Sequence, residues 1–451
     1  MSLSVISGPP GSGREEEILD RFEAVVGADP VLVVPTRDDV DRLERDLCGR
    51  GSGGLLGGTV TSFPGLSEEV ARALGTGGKN VATGMQRLWL ARAAARRAPL
   101  RLLRRSAARE GFAAALEATI ADLQAAGLDS EALEAATAEL PERTYELEIC
   151  ALFAAYEERR DSLGLSDAGL VAARTTAKLR ADPRSWRERP VLLLGFDDLS
   201  RQQIELVAAL QGACDVTVAI TFEGDRPALA ARAGLRGVLI DELGGVAEPP
   251  RQRFTPARGA SALHHIERHL FDAGSPSVSP DASIHLLEGA GERNEAELIG
   301  RRIARLIASG CDPDDIAIAV RSPDRQAQLI ARVLAGLGIP VSAEAEVPLA
   351  GTATGSALFG LLEIAGPGGT ASGVVAFLRG PARAHPESVD WLERRVLRGR
   401  LETATEALDS WRGGEERDRR IWELDAIREA ASNTQELLSV LARLAADVAE
   451  R

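Results

Sequence analysis

Residues 3–15, LSVISGPPGSGRE, decide the fold class because they set a short apolar strand, a glycine-rich turn and the start of a helix in direct succession. The helix that follows, EEILDRFEAVV at 16–26, spaces its apolar residues for one buried face. The next apolar run, VLVVPT at 31–36, does not alternate, which is expected of a strand buried on both faces of a parallel sheet. This strand–helix–strand order predicts an α/β fold.

The same alternation continues along the chain with one long interruption. A strand that turns into a helix is predicted at GTVTSF, 58–63, and further strands lie within 189–200 and 215–223. Between the strand at 58–63 and the one within 189–200, the sequence is rich in Ala, Leu, Arg and Glu with helical periodicity. We therefore predict a discontinuous first α/β domain, residues 1–75 and 186–225, with residues 76–185 as an inserted helical subdomain.

The second half of the chain repeats this organisation. Residues 226–282 have no sustained periodicity and are predicted to be a loop and linker region. A second α/β unit is predicted over 283–350, with helices at 293–310 and 326–338, and with three strands: SIHLLEG (283–289), DIAIAVR (315–321) and IPVSAE (339–344). Residues 351–451 are predicted to be another helical insertion, and we expect the sequence to stop within a domain because it ends inside a predicted helix.

The composition indicates a globular protein with an aliphatic core, since 45% of the 451 residues are apolar and 4% are aromatic. No apolar stretch approaches the ~20 residues of a membrane helix, and the N-terminus lacks a signal-peptide pattern, so we expect a cytoplasmic protein with no membrane partner. The net charge of −14 argues against indiscriminate coating of nucleic acid, but it does not exclude a local basic groove that binds DNA. The cysteines are scattered, which predicts buried, reduced thiols and no metal site: Cys48, Cys150, Cys214 and Cys311.

The turn after the first strand has the layout of a phosphate-binding P-loop, GxxxxGK(S/T), in which backbone N–H groups cradle phosphate oxygens. Gly8 and Gly13 occupy the motif positions, and Gly11 lies between them. The other interpretation is that this turn is a plain Gly-Pro connection between strand and helix. The lysine that reaches the phosphates is replaced by Arg14, and the Mg²⁺-binding hydroxyl by Glu15. Because Glu15 would repel phosphate, we predict a degenerate nucleotide site, with weak residual ATP binding left open.

A second ATPase feature, the acidic end of a strand, is also altered. In LLLGFDDLS the positions expected to hold the Mg²⁺-binding Asp and the water-orienting Glu are Leu194 and Gly195. Asp197 and Asp198 come too late in the sequence for these roles. We favour them as helix-capping and first-turn carboxylates over metal ligands.

Taken in order, these segments resemble a known family. They are similar to segments of the AddB, or RexB, subunit of bacterial helicase-nucleases. The segments are GPPGSG, VLVVPTRDDVDRLERDL, GTVTSFPGLSEEVARALG, PVLLLGFDDLSRQQIELVAAL, and EAELIGRRIARLIASGCDPDDIAIAVR with GIPV. The last block is the most specific, because the same order of elements occurs in UvrD-like and RecB-like motor domains. The resemblance spans nearly the whole chain.

The resemblance implies two RecA-like domains of the superfamily 1 helicase type, each with a helical insertion, in a subunit that does not act as the motor. It further implies an AddA-like partner that hydrolyses ATP, and DNA ends as substrate. The PD-(D/E)XK nuclease and the iron-sulfur cluster of such subunits would lie outside these residues, so no catalytic residue, metal or cofactor is expected here.

Loops after the strands bind single-stranded DNA in active relatives, and two such places match VPTR, 34–37, and TSF, 61–63. The candidates are Thr36, Arg37, Ser62 and Phe63, with Arg321 as a weaker one. Phe63 is equally well explained as a core residue. His264, His265 and His269 share helical spacing but lack partners at ligand spacing, so we expect a solvated surface.

The hypothesis is therefore a DNA-binding, non-motor subunit for processing double-strand breaks. Two alternatives stay open. The chain could be an active DNA-dependent ATPase in which Arg14 replaces lysine and Asp197 or Asp198 binds the metal, or it could only scaffold a partner protein.

Overall fold

The computed structural model describes residues 2–50, 57–76, 80–109, 111–224, 226–248, 261–342, 349–380, 384–413 and 421–449. It divides into two compact units, Met1–Ile284 and His285–Arg451. The limits of the smaller subdivisions predicted above stay predictions. Within the described ranges, no helix is both long and apolar enough to cross a membrane.

The first unit is built on a parallel sheet of six strands. In chain order these are β1 (Leu3–Gly8), β2 (Val31–Val33), β3 (Thr59–Thr61), β4 (Val191–Leu194), β5 (Val216–Thr221) and β6 (Val246–Glu248). In space their order is β3-β2-β4-β5-β1-β6, and every pairing is parallel. The predicted α/β class with a parallel sheet is confirmed.

Helices cover both faces of this sheet. Besides six that lie between α3 and β4, the helices of the first unit are α1 (Arg14–Ala24), α2 (Arg37–Arg50), α3 (Phe63–Ala73), α10 (Arg201–Gln211), α11 (Ala233–Gly237) and α12 (Ala262–His269). One face packs Ile18, Leu19 and Phe22 of α1 against Leu32 and Leu192, in a cluster that α2 also enters. The other face packs α3 and α10 in a larger cluster. The non-alternating strands are therefore buried on both sides, as their sequence predicts.

The stretch between β3 and β4 is helical. It contains α4 (Gly84–Arg97), α5 (Arg104–Ala107), α6 (Phe112–Ala125), α7 (Ser130–Ala136), α8 (Thr144–Ser162) and α9 (Ala168–Ala181). Helices α4, α6 and α8 enclose a cluster of their own around Leu90, Leu116 and Phe153. A separate core of this kind is what an inserted helical subdomain requires.

The predicted loop and linker region, 226–282, is more structured than its sequence indicates. It contains β6, which pairs with β1, and its Leu229, Leu235 and Leu239 are buried. A three-residue edge strand and a π-helical turn at Val238–Glu242 leave no periodic pattern, which explains why the sequence does not indicate these elements.

The second unit consists of helices: α13 (Glu292–Ala308), α14 (Pro323–Gly336), α15 (Ala353–Ala365), α16 (Ala371–Leu378), α17 (Pro386–Gly399), α18 (Ala404–Arg412), α19 (Trp422–Ala430) and α20 (Thr434–Ala449). The predicted helices at 293–310 and 326–338 are confirmed. The strands predicted at 283–289, 315–321 and 339–344 are absent from the described residues, and positions 343–344 lie outside them. Ile316, Ile318 and Ile339 pack on α13 and α14, but a strand also needs a hydrogen-bonded neighbour.

Candidate functional site

All of the first unit's predicted site residues lie at one edge of the sheet. Because the strands are parallel, the segments after β1, β2, β3 and β4 all leave from their carboxyl ends. These segments hold Gly8–Glu15, Thr36–Arg37, Ser62–Phe63 and Gly195–Asp198. This is the edge at which open α/β sheets bind ligands. Arg321 belongs to the second unit, where its side chain is exposed.

The loop from β1 to α1 has the backbone of a tight strand-to-helix turn. Gly13 precedes α1 in the left-handed region, with φ of 79°, where a side chain would be strained. At Gly8, an added Cβ would lie 2.6 Å from the Ser12 hydroxyl. Ser12 is buried and its backbone N–H donates to the carbonyl of Pro9. Glycine is thus favoured at Gly13 by its backbone conformation and at Gly8 by the closeness of the Ser12 side chain.

Arg14 turns back toward this loop. Its Nε donates to the Ser12 hydroxyl at 3.0 Å, and no described carboxylate lies within ion-pair distance of it. Burial lowers the pKa of the Arg14 guanidinium, and the neighbouring charge of Arg232 lowers it further. The cation is therefore engaged with its own loop and lies beside a second cation.

Glu15 is held by a different element. Arg42 of α2 donates to both of its carboxylate oxygens, at 2.7 and 3.2 Å. The hydrogen bond with Glu15 raises the pKa of Arg42. The carboxylate that follows Arg14 at the start of α1 is thus satisfied by an arginine of the chain.

The acidic segment after β4 is organised differently from its prediction. Ser200, rather than either aspartate, caps α10, in a reciprocal arrangement with Gln203. Asp197 accepts from Arg232 Nε at 2.6 Å, and Asp198 accepts from the backbone N–H of Leu199 at 2.8 Å. The capping interpretation of the two aspartates is wrong, because the serine is one residue before the helix and its hydroxyl reaches the Gln203 N–H.

The residues that follow β4 directly carry no acid. Leu194 is buried and ends the strand, and Gly195 adopts a φ of 86° with Pro35 against its Cα. An added Cβ at Gly195 would lie 3.3 Å from the Pro35 ring. A longer side chain at this position would have to displace the segment after β2.

Of the two candidates after β2, one has a structural role. Thr36 accepts from the Asp39 N–H at 3.1 Å and donates to the Asp39 carboxylate at 2.7 Å, which caps the start of α2. Arg37 is exposed and has no hydrogen bond or ion pair with any residue in the described part of the chain. Its guanidinium is available to a ligand.

The candidates after β3 differ in the same way. Phe63 is only 5% exposed, and its ring meets that of Phe196 edge-on with centroids 5.0 Å apart. The prediction that Phe63 stacks on a base is therefore wrong, and its alternative as a core residue is confirmed. Ser62 precedes α3, is half-buried and makes no capping hydrogen bond, so its hydroxyl is free of that role.

Sequence reasoning missed two arginines of this edge, Arg42 and Arg232. Arg232 lies in the region interpreted as a linker, and 35 positions separate it from Asp197. Arg42 is 27 positions from Glu15. Neither spacing carries a sequence signal, because both contacts depend on the order of the strands.

The other titratable candidates form no metal site. Within the ranges that the structure describes, no three His, Cys, Asp or Glu side chains group to hold a metal ion. His265 contacts the Ser275 hydroxyl at 3.0 Å and His269 contacts Asp272 at 3.3 Å. Burial raises the pKa of the Cys214 thiol to about 12, so this cysteine stays protonated. Cys48, in contrast, is exposed, which corrects its prediction as a buried thiol.

Comparison with known families accounts for this edge of the sheet. The profile described as "ADDB, N-terminal" matches residues 5–233, which is half of the chain. The chain belongs to this family. The match begins in β1 of the AddB N-terminal unit and extends past β5 to the helical turn that holds Arg232.

Curated relatives carry the same resemblance further along the chain. Three of them are named as the B-type subunit of an ATP-dependent helicase/deoxyribonuclease. The proteins of Heliobacterium modesticaldum, Pelotomaculum thermopropionicum and Desulfitobacterium hafniense are 25%, 27% and 28% identical over 77%, 77% and 68% of this chain. The matches cover 31%, 33% and 28% of the relatives, so this chain spans about a third of their length.

Proposed function

We propose that this chain is the DNA-binding, non-motor part of an AddB-type subunit, in a helicase-nuclease complex that processes double-strand DNA ends for recombinational repair. The names of the relatives support the complex. On this proposal an AddA-like partner supplies ATP hydrolysis, and the subunit works in the cytoplasm, where the bacterial chromosome lies. On this proposal the two units correspond to two RecA-like domains.

The observation that carries the non-motor role is the Glu15–Arg42 ion pair. ATP hydrolysis needs a hydroxyl on Mg²⁺ and an ammonium on the phosphates, whereas this loop offers a carboxylate already paired and a guanidinium bonded to Ser12. The strand end that should bind the metal carries Leu194 and Gly195, and Asp197 is paired with Arg232. The residues therefore do not fit a catalytic Mg²⁺-ATP site, and we derive no hydrolytic step.

DNA binding is supported by the exposed Arg37 and the half-buried Ser62 of the same edge. Arg37 and Ser62 present a guanidinium and a hydroxyl to solvent near the ends of adjacent strands, and such groups bond phosphate oxygens without sequence preference. Thr36 contributes by capping α2 and so fixing the backbone from which Arg37 extends.

Two measurements on the purified chain test the proposal. We expect no ATP turnover with Mg²⁺, with or without single-stranded DNA. We expect binding of single-stranded DNA at low salt, weakened several-fold in Arg37→Ala and unchanged in Arg45→Ala, which removes an exposed arginine further along α2. DNA-stimulated turnover that disappears in Arg14→Ala would establish the active ATPase instead. Absence of any DNA binding would leave the scaffolding alternative.

A further inference from the structure

The segment that runs from the end of α3 through α4 and α5 is basic, in contrast to the chain as a whole. The chain carries a net charge of −14, yet residues 70–109 contain ten Lys and Arg and no Asp or Glu. Such a run in an acidic protein concentrates positive potential on one part of its surface. Helix α4 lies within it.

One side of α4 forms an exposed stripe of four residues, Met85, Trp89, Arg92 and Arg96. Their spacing of four, three and four positions keeps them within one narrow sector of the helix. Met85 and Trp89 are each 64% exposed, and both arginines are exposed. The opposite side, with Leu90, Ala91 and Ala94, is buried in the cluster that α4 shares with α6 and α8. The packing of α4 onto the fold therefore does not use the side chains of the stripe.

The two arginines of the stripe have no carboxylate partner. In the described part of the chain no Asp or Glu oxygen lies within 4.0 Å of Arg92 or Arg96, whereas Arg97, next in sequence, pairs with Glu158 at 3.0 Å. The same holds for the exposed arginines that follow α4: Arg101, Arg104, Arg105 and Arg109. Among the described residues these cations therefore form no close ion pair, although Arg101 still interacts electrostatically with Glu148.

We propose that this stripe is a second binding surface for single-stranded DNA, separate from the sheet edge. A base stacks on the indole of Trp89 while the flanking phosphates pair with Arg92 and Arg96. Stacking platforms beside backbone-neutralising arginines are how proteins hold single strands without reading their sequence. A duplex offers no free base face to the indole, whereas a single strand offers both an unpaired base for Trp89 and regularly spaced phosphates for the arginines, so it matches both halves of the stripe.

This inference rests on the proposed function, which it extends to a second surface. It is tested by fluorescence anisotropy with a labelled oligothymidylate of about 20 nucleotides. We expect Trp89→Ala to weaken binding about tenfold and Trp89→Phe to retain most of it, because base stacking on one aromatic ring has about this effect. We expect Arg92→Ala/Arg96→Ala to weaken binding and to reduce the salt slope by about 1.4, from ~0.7 per lost phosphate contact.

Arg97→Ala is the matched control for each single variant, since it removes one positive charge from the same helix but outside the stripe. A loss in Arg97→Ala equal to that in Arg92→Ala and in Arg96→Ala would overturn the proposal. Binding of an abasic oligomer as tight as that of oligothymidylate would also overturn it. Equally tight binding of poly-glutamate would overturn it too, and would assign the stripe to an acidic protein. If the stripe variants bind like the parent while Arg37→Ala does not, only this inference fails. If the parent chain binds no DNA, both fail.

Discussion

At the scale of single residues, the sheet edge divides into side chains that hold the fold and side chains that face solvent. Phe63 and Thr36 were candidates for ligand contact, yet one is buried against Phe196 and the other caps α2. Arg37 is exposed and unpaired among described residues. Residue type and position after a strand therefore do not by themselves identify a ligand contact, because the same types also complete cores and caps.

Phe63→Ala should destabilise the first unit by about 3–5 kcal/mol, since it deletes a buried ring and leaves a cavity beside Phe196. Urea denaturation followed by circular dichroism measures the change. Arg37→Ala, exposed at the same edge, should stay within about 0.5 kcal/mol of the parent. A Phe63→Ala protein of parental stability with weaker DNA binding would instead support the stacking role.

At the scale of elements, the helical stretch is held together by buried polar contacts. Glu148 of α8 accepts the backbone N–H groups of Arg101, Leu102 and Leu103, at 2.7 to 2.8 Å. These bonds fix the connection between α4 and α5 onto α8. A carboxylate that satisfies three consecutive donors is stabilised in its ionised form.

The Glu148 contact predicts a pH dependence. The backbone bonds, led by that from Leu103, hold the pKa of Glu148 below its ordinary value. The stabilisation is therefore fully present above the unfolded-state pKa and is lost as the pH falls through the lower folded-state pKa. Thermal unfolding between neutral and acidic pH should show a smaller acid-dependent loss in Glu148→Gln than in the parent. Glu158→Gln, at an exposed ion pair, should retain the parental profile.

A second element-scale contact joins α6, α8 and α9. Asp167 caps α9 through the Leu170 N–H and accepts from Gln124 and from Arg160, whose side chain is 5% exposed. Burial opposes its ionisation, but these three bonds together keep the pKa of Asp167 below its ordinary value. The carboxylate is thus charged and fully engaged.

Asp167→Asn should cost about 3 kcal/mol, because it keeps the cap but leaves the buried Arg160 short of a counter-charge. The loss stays at the lower end of the usual range since Asp161 still contacts Arg160 at 2.9 Å. Arg160→Met/Asp167→Asn should recover most of the stability in urea denaturation. Equal destabilisation in the single and double variants would show that packing, not charge, explains the loss.

At the scale of the whole molecule, a net charge of −14 has to be reconciled with the DNA binding proposed above. The long-range field repels DNA, so affinity has to come from local basic surfaces such as the Arg37 edge and the α4 stripe. Affinity for single-stranded DNA should then fall as salt rises, with a log–log slope of about −2 to −4 for three to six phosphate contacts at ~0.7 each. Filter binding across a salt series measures it, and a slope near zero would contradict electrostatic binding.

The sequence alone determined the parallel α/β class, the helical stretch between β3 and β4 and the family, and it predicted the altered P-loop. Each depends on local patterns, such as apolar runs, helical periodicity and glycine spacing, that short segments carry whatever their neighbours. Only the tertiary structure decided that Arg42 holds Glu15, that Arg232 holds Asp197 and that β6 closes the sheet beside β1. Those contacts join residues brought together by strand order, and no local pattern encodes the order in which strands assemble.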